Sequence, residues 1–166
     1  MLIELKNLFE NEGTVIPLEC NVDFSDIVEH GRHPFKTPVK VSGELKNRIG
    51  MVSLEATARF TYCAECDLCA EDVEREFSFP IEHKLVTKLN DENNDDFLVV
   101  ENMKLDVDEL IRCDVLLSMP SKYLCKEDCK GLCSSCGANL NLGKCSCKKE
   151  VDPRLSALLG LMDDEE

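Results

Sequence analysis

The chain has no tryptophan, and aromatic residues make up only 5% of it. Single-stranded nucleic acid is gripped on exposed aromatic platforms, so a base-stacking protein is hard to build from this composition. Histidine is almost as scarce. His30, His33 and His83 are the whole complement of three, and they form no His-Glu-x-x-His pair for a hydrolytic metal. Their setting beside Pro34 marks His30 and His33 as exposed loop residues. No stretch approaches the roughly 20 apolar residues of a membrane helix. The opening Met1-Leu-Ile-Glu-Leu-Lys6 lacks the basic and then apolar pattern of a secretory signal. There is no glycine-rich phosphate loop, and Ser134-Ser135 has no histidine nearby in sequence to activate a nucleophile. Basic residues are outnumbered 19 to 33, for a net charge of −14; such a chain repels bare nucleic acid and attracts basic partners. These absences point to a cytoplasmic protein that is not an enzyme and has neither membrane nor small-molecule partner.

Cysteine is what the chain has in excess, with eleven residues. In a reducing compartment such thiols serve metals rather than disulfides. Cys63, Cys66 and Cys69 form one cluster, and Cys125, Cys129, Cys133, Cys136, Cys145 and Cys147 fall within 23 residues. Cys133-Ser-Ser-Cys136-Gly137, preceded by Gly131-Leu132, is a knuckle that puts two thiolates on one metal. Cys145 and Cys147, behind Gly143, complete its four ligands. Cys66 and Cys69 are half a site, and so are Cys125 and Cys129. The economical partition is two tetrahedral zinc ions, one on Cys66, Cys69, Cys125 and Cys129, the other on Cys133, Cys136, Cys145 and Cys147, with one zinc as the lower count. Cys63 is then a spare, or a competitor for the place of Cys66. Cys20 and Cys113 stand alone and are expected to be small buried hydrophobes. An all-sulfur site has no open coordination position, so these metals are structural.

Charge divides the chain. Residues 1–119 carry 12 basic and 25 acidic residues, a balance of −13, whereas residues 120–150 carry six lysines against three acids, +3. The organisation expected is a β-rich acidic body over 1–119, a cysteine-rich metal-binding segment over 120–150, and a terminal helix with an acidic tail over 151–166. Leu2, Leu5 and Leu8, then Val15, Ile16 and Leu18, read as two short extended segments around a turn, and Ser25 to Glu29 as a helical turn. Alternation from Val39 to Leu45 and from Met51 to Tyr62, around Asn47–Gly50, predicts a hairpin. Another strand is expected over Val73–Leu89, with Pro80 at a bulge or edge, so that Cys63, Cys66 and Cys69 lie between strands. Asn90–Asp96 reads as an acidic loop, and Phe97–Val100 as a short strand. Leu105–Leu117 reads as a helix with acids at its start, and Asp152-Pro153 opens the last helix. The fold class is α+β: a β-rich, mostly antiparallel sheet or partial barrel with one or two helices and a C-terminal cysteine-rich zinc-binding segment.

Three stretches resemble the YceD family, described as large-ribosomal-RNA-subunit accumulation proteins. Cys66-Asp-Leu-Cys69-Ala-Glu-Asp-Val73 is similar to its Cys-x-Arg-Cys-Leu-Glu-x-Val block. Leu105-Asp-Val-Asp-Glu-Leu110 through Met119-Pro120 is similar to its acidic helix and exit. Cys129-Lys-Gly-Leu-Cys-Ser-Ser-Cys-Gly-Ala-Asn-Leu-Asn141, Cys145-Ser-Cys147 and Asp152-Pro-Arg-Leu-Ser-Ala-Leu158 resemble its cysteine-rich signature and terminal helix. Leu68 stands where the family has Arg, and Ser134 where Pro is common; the first fifty residues match only in β character. The resemblance implies a role in accumulation of the large-subunit (23S) ribosomal RNA, hence ribosome assembly. The expected partners are a basic ribosomal protein, a large-subunit rRNA precursor, or both. The acidic body would hold the protein, and Lys130, Lys144, Lys148 and Lys149 would face RNA or the partner. The rival class is a zinc–thiolate redox switch that regulates a protein partner.

Overall fold

The computed structural model describes residues 1–29, 31–88 and 96–147. The expected terminal helix, the acidic tail and most of the Asn90–Asp96 loop lie outside the described residues. The chain divides into two compact units: Met1–Ala64 with Asp72–Tyr123, and Glu65–Glu71 with Leu124–Glu166, of which residues up to 147 are described.

The first unit is built on a five-stranded, mostly antiparallel sheet that curls into a half-barrel. Its strands, in spatial order, are β2 (Val15–Val22), β3 (Val39–Arg48), β4 (Met51–Glu65), β5 (Asp72–Val86) and β6 (Phe97–Val99). β2 and β4 run antiparallel to β3, whereas β6 pairs in parallel with Lys84–Val86 of β5. β4 and β5 are neighbours joined by only residues 66–71. A parallel crossover needs a dozen or more residues, so this short connection makes them a hairpin. Alternation drives β4: Val52, Leu54, Ala56, Ala58, Phe60 and Tyr62 are buried, and the residues between them are not. β6 reaches only to Lys84, so β5 is an edge at Pro80 among the described residues, where its missing N–H costs nothing.

Two helices complete the unit: α1 (Lys6–Glu10) and α2 (Val107–Ser118). The segment expected to be extended from Leu2 is in fact β1 (Leu2–Glu4) followed by α1, because Leu5 and Leu8, three apart, both turn into the core as completely buried residues. Leu105, read as helical, belongs to β7 (Lys104–Asp106), which pairs antiparallel with β1. α2 starts after it, with the Asp106 carboxylate accepting from the N–H groups of Asp108 and Glu109. Ser25–Glu29 is a turn rather than a helix, since the Ser25 N–H and hydroxyl both bond to Asp23. The β3–β4 turn is two residues, Ile49 and Gly50, both at positive φ, as a tight hairpin requires. Asn47, assigned to that turn by its type, is a buried strand residue. Its Nδ2 donates to the Leu8 carbonyl at 2.7 Å, and its backbone pairs with Gly13 and Thr14.

The core lies between the inner sheet face and the helices, with Val39, Leu45, Leu54 and Ala58 from strands and Val107, Ile111 and Val115 from α2. Seven of the nine aromatic rings form one connected cluster: Phe24, Phe35, Phe60, Tyr62, Phe77, Phe79 and Tyr123. The few rings available are thus spent inside, not on a base-stacking surface. No helix among the described residues is long and apolar enough to cross a membrane.

Candidate metal centres

The second unit is organised by sulfur. The loop leaving β4 is closed by the Cys66 N–H donating to the Glu71 carbonyl (2.9 Å) and the Ala70 N–H to the Cys66 carbonyl (2.8 Å). Ala70 sits at φ 55° to make this turn. It presents Cys66 and Cys69, both buried, to Cys125 and Cys129, both half-buried. All four sulfurs lie within 4.8 Å of one another. The Cys66–Cys129 and Cys69–Cys125 sulfur separations are 3.7 and 3.6 Å. Those distances are far too long for a disulfide bond of about 2.05 Å. They match the edge of a tetrahedron with metal–sulfur bonds of about 2.3 Å, roughly 3.8 Å. The donor set and its spacing therefore fit a zinc-sized ion.

The second group comprises Cys133, Cys136, Cys145 and Cys147, again within 4.8 Å. A knuckle holds it, with the Gly137 N–H donating to the Cys133 carbonyl and the Cys133 N–H to the Ala138 carbonyl, each at 2.8 Å. This group is more open, since Cys136 and Cys147 are exposed. The two groups share a backbone junction. The Leu132 N–H donates to the Leu68 carbonyl at 2.9 Å, and a Cβ on Gly131 (φ 69°) would stand 2.9 Å from that same oxygen. Any side chain there would push the knuckles apart.

Backbone donors set the ionisation of the thiols. Burial raises Cys66, but hydrogen bonds from the N–H groups of Cys125, Cys69 and Leu68 outweigh it and bring the thiol down to about 6. The Ser135 and Cys136 N–H groups likewise bring Cys133 to about 6. The Asn141 amide is the main group that lowers Cys129. The Glu71 N–H works to lower Cys69, yet burial and the neighbouring thiols push it up to about 12, and hydrogen bonding with Cys136 does the same for Cys147. Cys66 and Cys129 in the first group and Cys133 in the second are thus favoured as anions, whereas Cys69 and Cys147 are resisted until a cation joins them.

Asn139 and Asn141 were not among the residues singled out from sequence, although both stand in the quoted signature. The Asn141 Nδ2 donates to the Cys129 sulfur at 3.3 Å, while its Oδ1 accepts from the Lys130 N–H at 2.9 Å. The Asn139 Oδ1 accepts from the Asn141 N–H, and its Nδ2 reaches Glu71 at 2.8 Å. Both come from the loop between Cys136 and Cys145, so the chain that closes the second group also orders the first. Such links are tertiary, and no spacing rule marks them.

Other expected site residues lie apart. Cys63 belongs to the first unit, where its N–H donates to the Pro34 carbonyl, and it joins neither group. Cys20 is half-buried, but Cys113 is exposed on α2 and not the buried hydrophobe expected, because it lies off the face that buries Ile111 and Val115. Lys130 and Lys144 are exposed. Lys148, Lys149 and His30 lie outside the described residues. His33 is exposed, and His83 bonds Asp114 of α2 at 2.7 Å.

A family model described as large ribosomal RNA subunit accumulation protein YceD matches residues 54–162. All eight grouped cysteines lie inside that stretch. The chain is 28% identical over 158 residues to large ribosomal RNA subunit accumulation protein YCED homolog 1, chloroplastic, of Zea mays, which covers 76% of this chain and 54% of that protein. It is 28% identical over 163 residues to the protein of the same name from Arabidopsis thaliana, covering 80% of this chain and 51% of that one. Uncharacterized protein YlbN of Bacillus subtilis (strain 168) is 28% identical over 134 residues, 78% of each chain. This chain spans about half the length of the two plant relatives. No solved structure matches it.

Proposed function

This chain belongs to the YceD family, and on that premise we propose that it is a zinc-binding ribosome-assembly factor that supports accumulation of large-subunit ribosomal RNA. The observation that carries the metal part is the gathering of eight sulfurs into two groups of four, each within 4.8 Å, with two separations in the first group at the tetrahedral edge length. Cys66, Cys69, Cys125 and Cys129 would hold one ion, and Cys133, Cys136, Cys145 and Cys147 the other. Four thiolates close a site to substrate, so the role is structural and the protein is not an enzyme. It works in the cytoplasm, where thiols stay reduced.

The acidic stretch over residues 1–119, at −13, is suited to hold a basic ribosomal protein; the +3 of residues 120–150 is offset by the two negative charges of each zinc tetrathiolate, so precursor RNA would be met locally, at Lys130, Lys144, Lys148 and Lys149. Tagged protein, recovered with its partners and sedimented through a gradient, should travel with large-subunit precursors and be released by salt. Absence from those particles at low salt would reject the reading.

The exposure of Cys136 and Cys147 favours a second reading, a redox switch. A peroxide would take two electrons from two thiolates, join them as a disulfide, and free the metal. Zinc release by mild peroxide that alters precursor binding would support it. Release that leaves binding unchanged would dismiss it.

A further inference from the structure

The sheet of the first unit carries an electrostatic anomaly. Lys40 of β3 stands directly opposite Arg59 of β4 in the register, and both are exposed. Like charges directly across a sheet repel, and neither side chain has an ion-pair partner among the described residues. The same face shows how such a conflict is otherwise relieved. Four positions beyond Lys40, Glu44 and Glu55 are also directly opposed, but Lys46 bridges them, at 3.7 Å from Glu44 and in contact with Glu55. Arg32 and Arg112 are each held by an aspartate, at 2.5 and 2.6 Å. In a chain of net charge −14, with acids in surplus, Lys40 and Arg59 are left without one.

Their surroundings suit a phosphate chain. Alternation puts them on the face opposite the buried Val39, Val41, Ala58 and Phe60. With Glu19, Asn21 and Ser42 they line an open concavity of about 420 Å³. Lys36, exposed and likewise without an ion-pair partner, lies near Cys63, four residues beyond Arg59 on β4, or about 13 Å along the strand. No aromatic ring is available here for stacking, because the ring cluster is inside.

We propose that this sheet face, centred on Lys40 and Arg59 and extended by Lys36, binds the sugar–phosphate backbone of RNA without reading its sequence. The proposal rests on the ribosomal-RNA reading above and names a contact surface that the lysines of the cysteine-rich segment do not supply. Cations meet phosphate oxygens, while the Ser42 hydroxyl and the Asn21 amide can meet sugar and phosphate oxygens.

The test is fluorescence anisotropy of a labelled single-stranded RNA oligomer with the full, zinc-loaded chain. The three phosphate contacts on this face contribute about −2 to the log–log salt slope, about a 20-fold loss of affinity between roughly 50 and 200 mM salt, beyond what the lysines of the cysteine-rich segment add. K40Q/R59Q removes two of the three, so its slope should be shallower by about 1.4, about a sevenfold smaller loss over that range, and it should bind more weakly at low salt. K40R/R59K should behave as the native chain, and oligomers of different sequence should bind alike. Relieving the repulsion should leave thermal stability equal or higher, so weaker binding cannot be ascribed to unfolding. Native affinity and slope in K40Q/R59Q would overturn the proposal, as would a native chain that binds no RNA. Competition by polyglutamate as effective as RNA would assign the face to an acidic protein and overturn it too. If the native chain still travels with large-subunit precursors in these cases, the assembly reading survives the loss of this surface; if it does not, both fall.

Discussion

Asn141 is where one side chain bears most directly on the first cysteine group, since its amide donates to the Cys129 sulfur and its carbonyl accepts from the Lys130 N–H. Groups that orient metal ligands through hydrogen bonds commonly change affinity by 10–100-fold when removed. Asn141→Ala should therefore weaken one of the two zinc affinities by about 10–100-fold in competition with a chromophoric chelator. Asn141→Asp keeps the acceptor but sets a carboxylate against a thiolate, so its loss should exceed that of Ala. Equal affinities in all three proteins would reduce Asn141 to a loop residue. Nothing in the spacing of cysteines pointed to it. Cys-x-x-Cys pairs are legible because both ligands come from one turn, whereas Asn141 meets Cys129 only after the chain has folded back. Cys113 was misread for the complementary reason: burial depends on which helical face a residue occupies, and a lone cysteine carries no sign of that.

Elements were legible where their period repeats. β4 shows six buried positions in strict alternation, enough to read as a strand with no further context. α1 has five residues, and its one core leucine, Leu8, with Leu5 just before the helix, gives a single interval that fits a turn as well as a helix. β7 has three residues, and its partner β1 lies about a hundred residues earlier, so nothing local announces it. Two predictions belong at this scale. Asn47 fastens α1 to β3 through the Leu8 carbonyl. Asn47→Ala should cost about 1–3 kcal/mol in denaturant unfolding and raise hydrogen exchange over residues 6–12 before the sheet responds. The second concerns α2, whose cap Asp106 is held below its usual 3.8, chiefly by the Glu109 N–H. A carboxylate depressed on folding stabilises the protein fully above its unfolded value, and the contribution is lost as pH falls through the lower folded value. Asp106→Ala should thus lower the melting temperature near neutrality, and the gap from the native protein should close below about pH 4. A gap that persists in acid would separate the cap from its charge.

For the molecule as a whole, the two units make different demands. The first has a hydrocarbon core of its own, while the second has sulfur where a core would be. Removing zinc with a chelator should melt the second unit and leave the sheet's circular dichroism largely in place, because structural zinc contributes on the order of 10 kcal/mol to such a site. Protein purified without chelator should carry between one and two zinc equivalents by elemental analysis, and a value near zero would remove the basis of the metal reading. Cys66→Ser should raise hydrogen exchange across residues 124–147 as well as 65–71, since the first site binds those stretches to each other. Exchange confined to 65–71 would argue for separate local sites.

Cys69 and Cys125 are 56 residues apart, and that gap is also an interval of time. A ribosome adding about 5–20 residues per second makes Cys66 and Cys69 some 3–11 seconds before the ligands that complete their site. Throughout that interval a nascent chain displays an unfinished pair of thiols, open to oxidants and to the wrong metal. The second group, all of whose ligands fall between Cys133 and Cys147, emerges within a few seconds at most. The site begun first is completed at Cys129, only four residues before the second begins at Cys133, so the two close in quick succession after the first has stood half-made. The first cysteine group thus depends on the speed of the ribosome that makes it, and slowing translation between residues 69 and 125 should increase the fraction of chains made with a damaged first site.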